Sequence, residues 1–234
     1  MNDSSLQKRD RRDAVLEFLE KRDWDGFRNW TRTDRSPWRI LMPLTLNSDP
    51  LLRWRAIEAV GRIAAWKAAG IGGIQRNLEP VREMLRRLFW GMNDESGNSH
   101  WSAPDVIAEI LVNVPELIEE FAAPLLDHLD SEPYRHGVYR AIVRIAALKS
   151  DPFLQLTDLL TKSLHFSDPL IRGCSLLALV RISKENALHL LQNPVESAFW
   201  RGDSEPFRLY DFCTGSFQVL TLASIGAEIL AQNR

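Results

Sequence analysis

The chain has 234 residues, of which 45% are hydrophobic and 26% are charged, and its net charge is −2. This length suffices for a domain with a sizeable core. The small net charge argues against non-specific nucleic-acid binding, which needs a basic surface. Cys174 and Cys213 form no CxxC pair, and no window approaches the roughly 18 apolar residues of a membrane helix. Because the first residues are charged and carry no apolar stretch, we expect no secretory leader. We therefore expect a cytoplasmic protein that binds neither nucleic acid nor membrane.

Apolar periodicity and helix-capping residues predict helices along most of the chain. We expect residues 1–33 to cap the amino-terminal end with two short helices, at 10–21 and 24–32. The helices that follow are predicted at 36–46, 50–69, 75–91, 102–113, 115–129, 132–148, 152–166, 169–183 and 185–192.

Near the carboxyl terminus the composition changes to residues that are typical of strands. Segments 207–212 and 217–222 are rich in aromatic and apolar residues, and a turn containing Gly215 separates them. This pattern predicts a small β-hairpin, followed by a helix at 222–232. We expect residues 206–234 to cover the last unit of a repeat array.

A short motif recurs along the chain. Val60-Gly61-Arg62-Ile63-Ala64 reappears at 143–146 and 180–183, and more weakly at 108–111 and 227–230. The aligned positions, separated by 47, 35, 37 and 47 residues, are Arg62, Glu109, Arg144, Arg181 and Glu228. These intervals agree with helix-pair solenoids, whose repeat is about 35 to 47 residues long.

The beginning of the repeated helix recurs as well. Asp49-Pro50-Leu51-Leu52-Arg53 matches Asp168-Pro169-Leu170-Ile171-Arg172, and Glu132-Pro133-Tyr134-Arg135 is a looser copy. Asp accepts hydrogen bonds from the free N–H groups of a helix start, and Pro is tolerated in the first turn. Small residues follow, namely Ala56, Ala59 and Gly61.

Asp-Pro-x-x-Arg followed by Ala and Ala-Val-Gly resembles the second helix of a HEAT repeat. The whole chain is also similar to uncharacterised HEAT-repeat proteins of anaerobic bacteria. The resemblance implies an all-α fold, a right-handed α-solenoid of about five to six helix pairs that forms one domain over 1–234. It also implies that Arg53, Arg135 and Arg172 belong to a ladder with the Asp residues of neighbouring units.

The second aligned copy lacks the Asp-Pro start. His100 and Trp101 stand where the first copy has Arg53 and Trp54, and a polar stretch precedes them. We name residues 93–101 the rim loop. Ser102, three residues before Asp105, predicts a capping box for the next helix. Loops on rigid scaffolds often bind ligands, although a long connection with capping residues also explains this segment.

Charge is unevenly distributed around the rim loop. Residues 53–87 contain eight basic and three acidic residues, whereas residues 88–134 contain ten acidic residues and no Lys or Arg. The acidic segment would attract a partner with a cationic feature. Alternatively, its charges would be neutralised by those of the adjacent basic repeat.

We predict a non-enzymatic interaction or scaffold module without a cofactor, which binds a protein or peptide on its concave face. A second cluster would extend that groove and hold an anionic or aromatic group; it consists of Tyr134, His136, Arg140 and Arg172. The alternative is that the arginines form a structural ladder and the other residues only pack. The predicted binding residues are Trp90, Asp94, Glu95, His100, Trp101, Glu109, Tyr134, His136, Arg140 and Arg172.

The alternative function is a small-molecule or metal-binding enzyme, lyase-like or resembling the HEAT-like DNA glycosylases. Such an enzyme would use a pocket at the rim loop, where Asp94, Glu95, His100 and Glu109 supply oxygen and imidazole groups. Convergence of these side chains on an ion-sized space would favour the enzyme, and an open groove would favour the interaction module.

Overall fold

The computed structural model describes residues 3–32, 37–70, 76–94 and 100–233, with side chains from residue 9 onwards. Most of these residues are helical, and one two-stranded antiparallel sheet lies near the carboxyl terminus. The chain divides into two units. Unit 1 contains residues 1–114 and the turn 212–215, and unit 2 contains residues 115–211 and 216–234. Within the described ranges, no helix is both long and apolar enough to cross a bilayer.

Unit 1 has six helices in its described residues, close to the predicted positions. They are α1 (Asp3–Lys21), α2 (Trp24–Thr31), α3 (Pro37–Leu44), α4 (Pro50–Ala69), α5 (Glu79–Met92) and α6 (Ala103–Asn113). Helix α1 begins earlier than predicted. The prediction followed the apolar stripe of Val15 and Leu19, whereas pairs such as Arg9–Asp13, at 3.9 Å, support the polar turns before it.

Helix α4 shows how local chemistry sets both ends of a helix. Asp49 Oδ1 accepts hydrogen bonds from the amides of Leu51 and Leu52 at 2.8 and 3.2 Å, and Pro50 follows in the first turn. At the other end Gly70 adopts φ 70°, in the left-handed region where glycine has no steric penalty. The predicted bounds of this helix, 50–69, are confirmed.

Helices α4 and α6 approach each other closely at Gly61. A Cβ atom on Gly61 would lie 2.6 Å from Glu109 Cγ and 2.8 Å from the Glu109 carbonyl oxygen. About two helical turns before Gly61 in α4, Arg53 lies over the ring of Trp101, which precedes Glu109 by the same distance in sequence. The two helices therefore run parallel, with α5 between them in sequence.

Unit 2 has shorter helices and several 3₁₀ segments. The α-helices are α7 (Ile118–Phe121), α8 (Arg135–Ala146), α9 (Thr157–Ser163), α10 (Pro169–Ile182), α11 (Lys184–Gln192), α12 (Pro194–Gly202) and α13 (Leu222–Ala231). The 3₁₀ segments are Pro115–Leu117, Ala123–His128 and Asp151–Leu156.

The predictions of continuous helices at 115–129 and 152–166 were wrong. Pro124 has no N–H and would clash with a preceding carbonyl in the interior of an α-helix, so the chain continues as a 3₁₀ turn. In the second segment, Gln155 and Thr157 donate to the carbonyls of Pro152 and Leu154, three residues earlier. Such bonds compete with α-helical pairing and favour the tighter turns.

Helix α12 was missed, although the sequence carries its signal. Asn193 caps it by accepting hydrogen bonds from the amides of Val195 and Glu196 at 2.9 and 3.3 Å, and Pro194 follows. Asn-Pro thus acts here as Asp-Pro does at α4 and α10.

The predicted hairpin is confirmed. Strand β1 (Phe207–Asp211) pairs antiparallel with β2 (Ser216–Leu220), and the register places Phe207 opposite Leu220 and Asp211 opposite Ser216. The ring of Phe207 lies against α10 at Gly173, where a Cβ atom would come within 2.0 Å of Phe207 Cζ. Helix α13 follows from a capping box between Thr221 and Ser224.

Helices α8 and α10 repeat the parallel arrangement of α4 and α6. Near the start of α8, His136 Nε2 lies 2.8 Å from Oδ2 of Asp168, the residue that caps α10. Near the other end, Arg181 of α10 donates to the carbonyl of Val143 on α8. The two helices therefore run in the same direction, with α9 between them in sequence.

The three aligned arginines share one structural role. Each donates to a main-chain carbonyl five or six residues earlier, in the connection before its own helix. The bonds are Arg53 to Asn47 at 3.1 Å, Arg135 to Asp130 at 3.0 Å, and Arg172 to Phe166 and Ser167, both at 2.8 Å. Each arginine thereby fixes the preceding connection relative to the helix.

Arg172 is the most fully bound of these residues. Its Nε and Nη2 donate to the two carboxylate oxygens of Asp203 at 2.6 and 3.1 Å, and Nη2 also reaches Glu205 at 2.9 Å. Together with the two carbonyls, these bonds use all five N–H donors of the guanidinium group.

Replacing Arg172 by Lys should therefore destabilise the protein, because Lys retains the charge but cannot satisfy these acceptors. We expect a loss of about 2 kcal/mol, the effect of leaving buried acceptors unsatisfied. Arg135→Lys, the control at the more exposed aligned position, should cost less than about 1 kcal/mol. Urea denaturation of both variants measures the difference, and equal losses would contradict the role assigned to Arg172.

Candidate functional site

Two exposed tryptophans lie at the two ends of the rim loop of unit 1, Trp90 shortly before it and Trp101 as its last residue. Trp90, on the last turn of α5, is 72% exposed, and Trp101, just before α6, is 38% exposed. Residues 95–99, which include the predicted site residue Glu95, lie outside the described residues. The site is therefore built from the two sides of this loop.

Trp101 stacks with a charged group of α4. The guanidinium carbon of Arg53 lies 4.9 Å from the centroid of the Trp101 ring, within the range of a cation–π interaction. Arg53 is itself held by its bond to the Asn47 carbonyl. One side of the indole is thus supported by a fixed cation, while part of the ring stays in solvent.

The two neighbours of Trp101 are anchored to one buried hydroxyl group. Thr45 donates to the Met42 carbonyl at 2.7 Å, so its oxygen acts as an acceptor for other donors. His100 Nε2 lies 2.8 Å from this oxygen, and Ser102 Oγ lies 3.3 Å from it. Because the Thr45 hydroxyl already donates to Met42, Nε2 of His100 must carry a proton and donate to Thr45.

The predicted capping box at Ser102 was wrong. Ser102 is the residue before α6, but its side chain makes no cap bond to the helix. Its hydroxyl group is buried and points to Thr45 instead. The sequence pattern did not reveal this competing partner, which is 57 residues away.

Burial lowers the pKa of His100 below its usual value of 6.5. As the pH falls below that value, the unfolded chain takes up a proton before the folded chain does. Folding stability is then complete above pH 6.5 and is lost progressively towards the lower pKa of the folded state.

The predicted acidic residues do not form one exposed group. Glu109 is only 3% exposed and packs at the α4–α6 contact, where Asn113 Nδ2 donates to its carboxylate at 2.8 Å. Asp94 is half-buried just after α5. Across the described part of the chain, no three His, Cys, Asp or Glu side chains are grouped as metal ligands.

The other predicted residues belong to unit 2 and have different environments. Tyr134 is buried against His128, with an edge-to-face contact at 5.5 Å between ring centroids. Arg140 is half-buried on α8, and His136 is exposed beside Asp168. Since Arg172 has used all its donors, it offers none to a ligand.

The surroundings of Asp168 change the pKa of its carboxyl group. Its burial opposes ionisation, but the amide of Ile171 and the neighbouring His136 outweigh that effect, and the pKa of Asp168 is lowered. The carboxylate therefore serves both as the cap of α10 and as the acceptor for α8.

Sequence reasoning missed a second cluster in unit 1, which holds the turn 212–215. We name it the turn cradle, formed by Arg22, Trp24, Trp54, Glu58 and Arg62. Arg22 Nη2 donates to the Phe212 carbonyl at 2.9 Å and to Glu58 at 2.8 Å, and Nη1 lies 3.4 Å from the Cys213 carbonyl oxygen.

Aromatic contacts complete the turn cradle. The Phe212 ring meets Trp54 edge-to-face at 5.9 Å, and Trp24 lies beneath the guanidinium groups of Arg22 and Arg62 at 5.8 and 4.7 Å. Buried Glu58 also accepts from Arg62 at 2.9 Å. Its charge is therefore balanced by two guanidinium groups.

Arg22 occupies an unusual backbone conformation. Its φ is 50°, in the left-handed region, and the amide of Asp23 bonds back to the Phe18 carbonyl at 3.0 Å. This is the helix ending that normally takes glycine. An arginine here bears a steric penalty, which its side-chain contacts offset.

No family model matches the chain. A stretch of 114 residues, 48% of the chain, is 36% identical to an uncharacterised protein of Archaeoglobus fulgidus. The chain spans 56% of the length of that archaeal relative.

The buried imidazole predicts a specific pH dependence. Wild-type protein should lose stability as the pH falls below 6.5, and His100→Gln should lose less, because Gln donates to Thr45 but does not titrate. Urea denaturation between pH 7.5 and about pH 5 measures the difference. His128, whose pKa burial also lowers, contributes equally to both proteins. Parallel pH profiles would contradict the role of His100.

The turn cradle predicts an order of stability among variants of residue 22. Arg22→Gly removes the contacts and the backbone strain together, whereas Arg22→Ala removes the contacts but keeps the strain. We expect both variants to be less stable than wild type, and Ala to be less stable than Gly by roughly 1 kcal/mol. Denaturant unfolding measures the series. Equal stability of the Gly and Ala variants would show that the left-handed conformation is not strained.

Proposed function

We propose that the chain is a HEAT-type α-solenoid that acts as a protein-interaction module, with the flanks of the rim loop as its recognition surface. Support for the architecture comes from α4 and α6 in unit 1 and from α8 and α10 in unit 2. Each is a parallel pair of helices separated in sequence by another helix. The repeated arginine contacts to the preceding connection add to this support.

The exposure of Trp90 is the observation that carries the proposed function. The chain buries Trp54 and Trp200 almost completely, yet Trp90 remains 72% exposed at the end of a well-formed helix. Exposed tryptophans are frequent anchors in protein interfaces, because each ring buries a large apolar area on binding.

Trp101 would supply the second contact, and its surroundings suit a preformed surface. The bonds of His100 and Ser102 to Thr45 hold the backbone on both sides of Trp101, and Arg53 supports the ring. An anchor that is already ordered loses little conformational entropy on binding. The partner we propose is a protein or peptide segment with an apolar side chain for each indole.

The proposed location is the reducing cytoplasm. Cys174 is buried in α10, Cys213 is exposed in the turn 212–215, and no disulfide joins them. Cysteines that are not joined by a disulfide are typical of proteins in a reducing compartment.

Truncating the tryptophans tests this proposal. Trp90→Ala and Trp101→Ala should each weaken binding of the cognate partner by about 2 kcal/mol, close to thirtyfold in affinity. Val195→Ala is the matched control, because Val195 is 79% exposed and lies on α12 in unit 2.

The measurement is affinity purification from extract of the source organism with quantitative mass spectrometry, followed by titration of the recovered partner. Circular dichroism should show that the variants keep the wild-type helical content. Partners retained equally by wild type and both tryptophan variants would refute the recognition surface.

A further inference from the structure

The turn 212–215 is a separate chain segment within unit 1. The main chain leaves this unit after Val114 and contributes to it again only from Phe212 to Gly215. Contacts with the turn cradle therefore hold these four residues in place, as they would hold a bound peptide.

These contacts recognise the shape of the turn. Arg22 binds two consecutive carbonyl oxygens, those of Phe212 and Cys213. The side chain of Arg22 also packs against Gly215, where a Cβ atom would come within 2.3 Å of Arg22 Cδ. Gly215 has φ 71°, so this position favours glycine for both space and backbone conformation.

The ring of Phe212 gives the turn its side-chain anchor. It packs edge-to-face on Trp54, which is otherwise buried in α4. Two carbonyls, one ring and one glycine thus define what the turn cradle binds. Any second copy of the chain carries the same set on its own hairpin.

We propose that the turn cradle also accepts the turn 212–215 of a second copy of this chain, so that the protein can dimerise by exchanging its hairpin turns. Exchange of an identical element creates each contact again without requiring a new complementary surface. At low concentration the chain's own turn fills the cradle, because its effective concentration is high. At protein concentrations near about 1 mM the second copy competes. This inference is independent of the recognition surface at Trp90 and Trp101.

Two complementary variants test the exchange. Arg22→Gly impairs the cradle but leaves the turn intact, and its backbone is unstrained. Phe212→Ala with Gly215→Ala impairs the turn but leaves the cradle intact. Each variant alone should be monomeric at micromolar concentration. An equimolar mixture should form a heterodimer, because the intact turn of the first variant fills the vacant cradle of the second.

Native mass spectrometry of one ¹⁵N-labelled and one unlabelled variant identifies the heterodimer by its mass. Mixtures of wild type with either variant are the control. They should form at least tenfold less heterodimer, because the wild-type turn and the wild-type cradle already bind each other within one chain. A mixture that remains monomeric up to about 1 mM, with both variants retaining wild-type circular dichroism, overturns the proposal.

Milder variants keep the test decisive if one of these proteins does not fold. Arg22→Lys replaces the cradle variant, since Lys retains the charge but cannot donate to both carbonyls and Glu58 together. Phe212→Leu replaces the turn variant, since Leu fills much of the space but lacks the edge-to-face contact. A heterodimer from this second pair supports the exchange, and its absence overturns it.

Discussion

Three helices of this protein, α4, α8 and α10, each have an arginine near their start that binds the connection before the helix. The arginine contact is common to all three helices, whereas only two of them also have a side-chain cap. Asp49 and Asp168 cap two of these helices, but Tyr134 before α8 makes no cap bond. A guanidinium group that spans five or six residues fixes both the first turn and the preceding loop.

The ends of α4 and α10 could be predicted because their signals are local. Asp-Pro at the start and Gly70 after α4 act within a few residues of the ends that they determine. The 3₁₀ segments of unit 2 could not be predicted from apolar spacing, since 3₁₀ and α turns place apolar residues similarly over one or two turns. Side-chain bonds to carbonyls three residues earlier decide between them there.

The candidate site was predictable only in part. The missing Asp-Pro start predicts a binding site in the stretch that ends at Trp101, and the structure shows that Trp90 and Trp101 are exposed at its two ends. The burial of Glu109 was not predictable, since it depends on Gly61 of the neighbouring helix leaving space for the carboxylate side chain. The role of Arg22 could not be predicted for a similar reason, because the Phe212 carbonyl that it binds lies 190 residues away in sequence. Sequence patterns report contacts within an element more readily than contacts between distant elements.

Buried polar groups in unit 1 connect its packing to the proposed recognition surface. A buried Glu58 balanced by two arginines, and a buried Thr45 that serves two donors, are satisfied in one arrangement of their helices and not in others. The Thr45 network has a direct consequence for Trp101, because both neighbours of that residue are bound to the same hydroxyl group. Part of the indole is consequently exposed between two residues that are anchored to the same hydroxyl group. If this surface binds a partner as proposed, a side chain that is already ordered lowers the entropic cost of association.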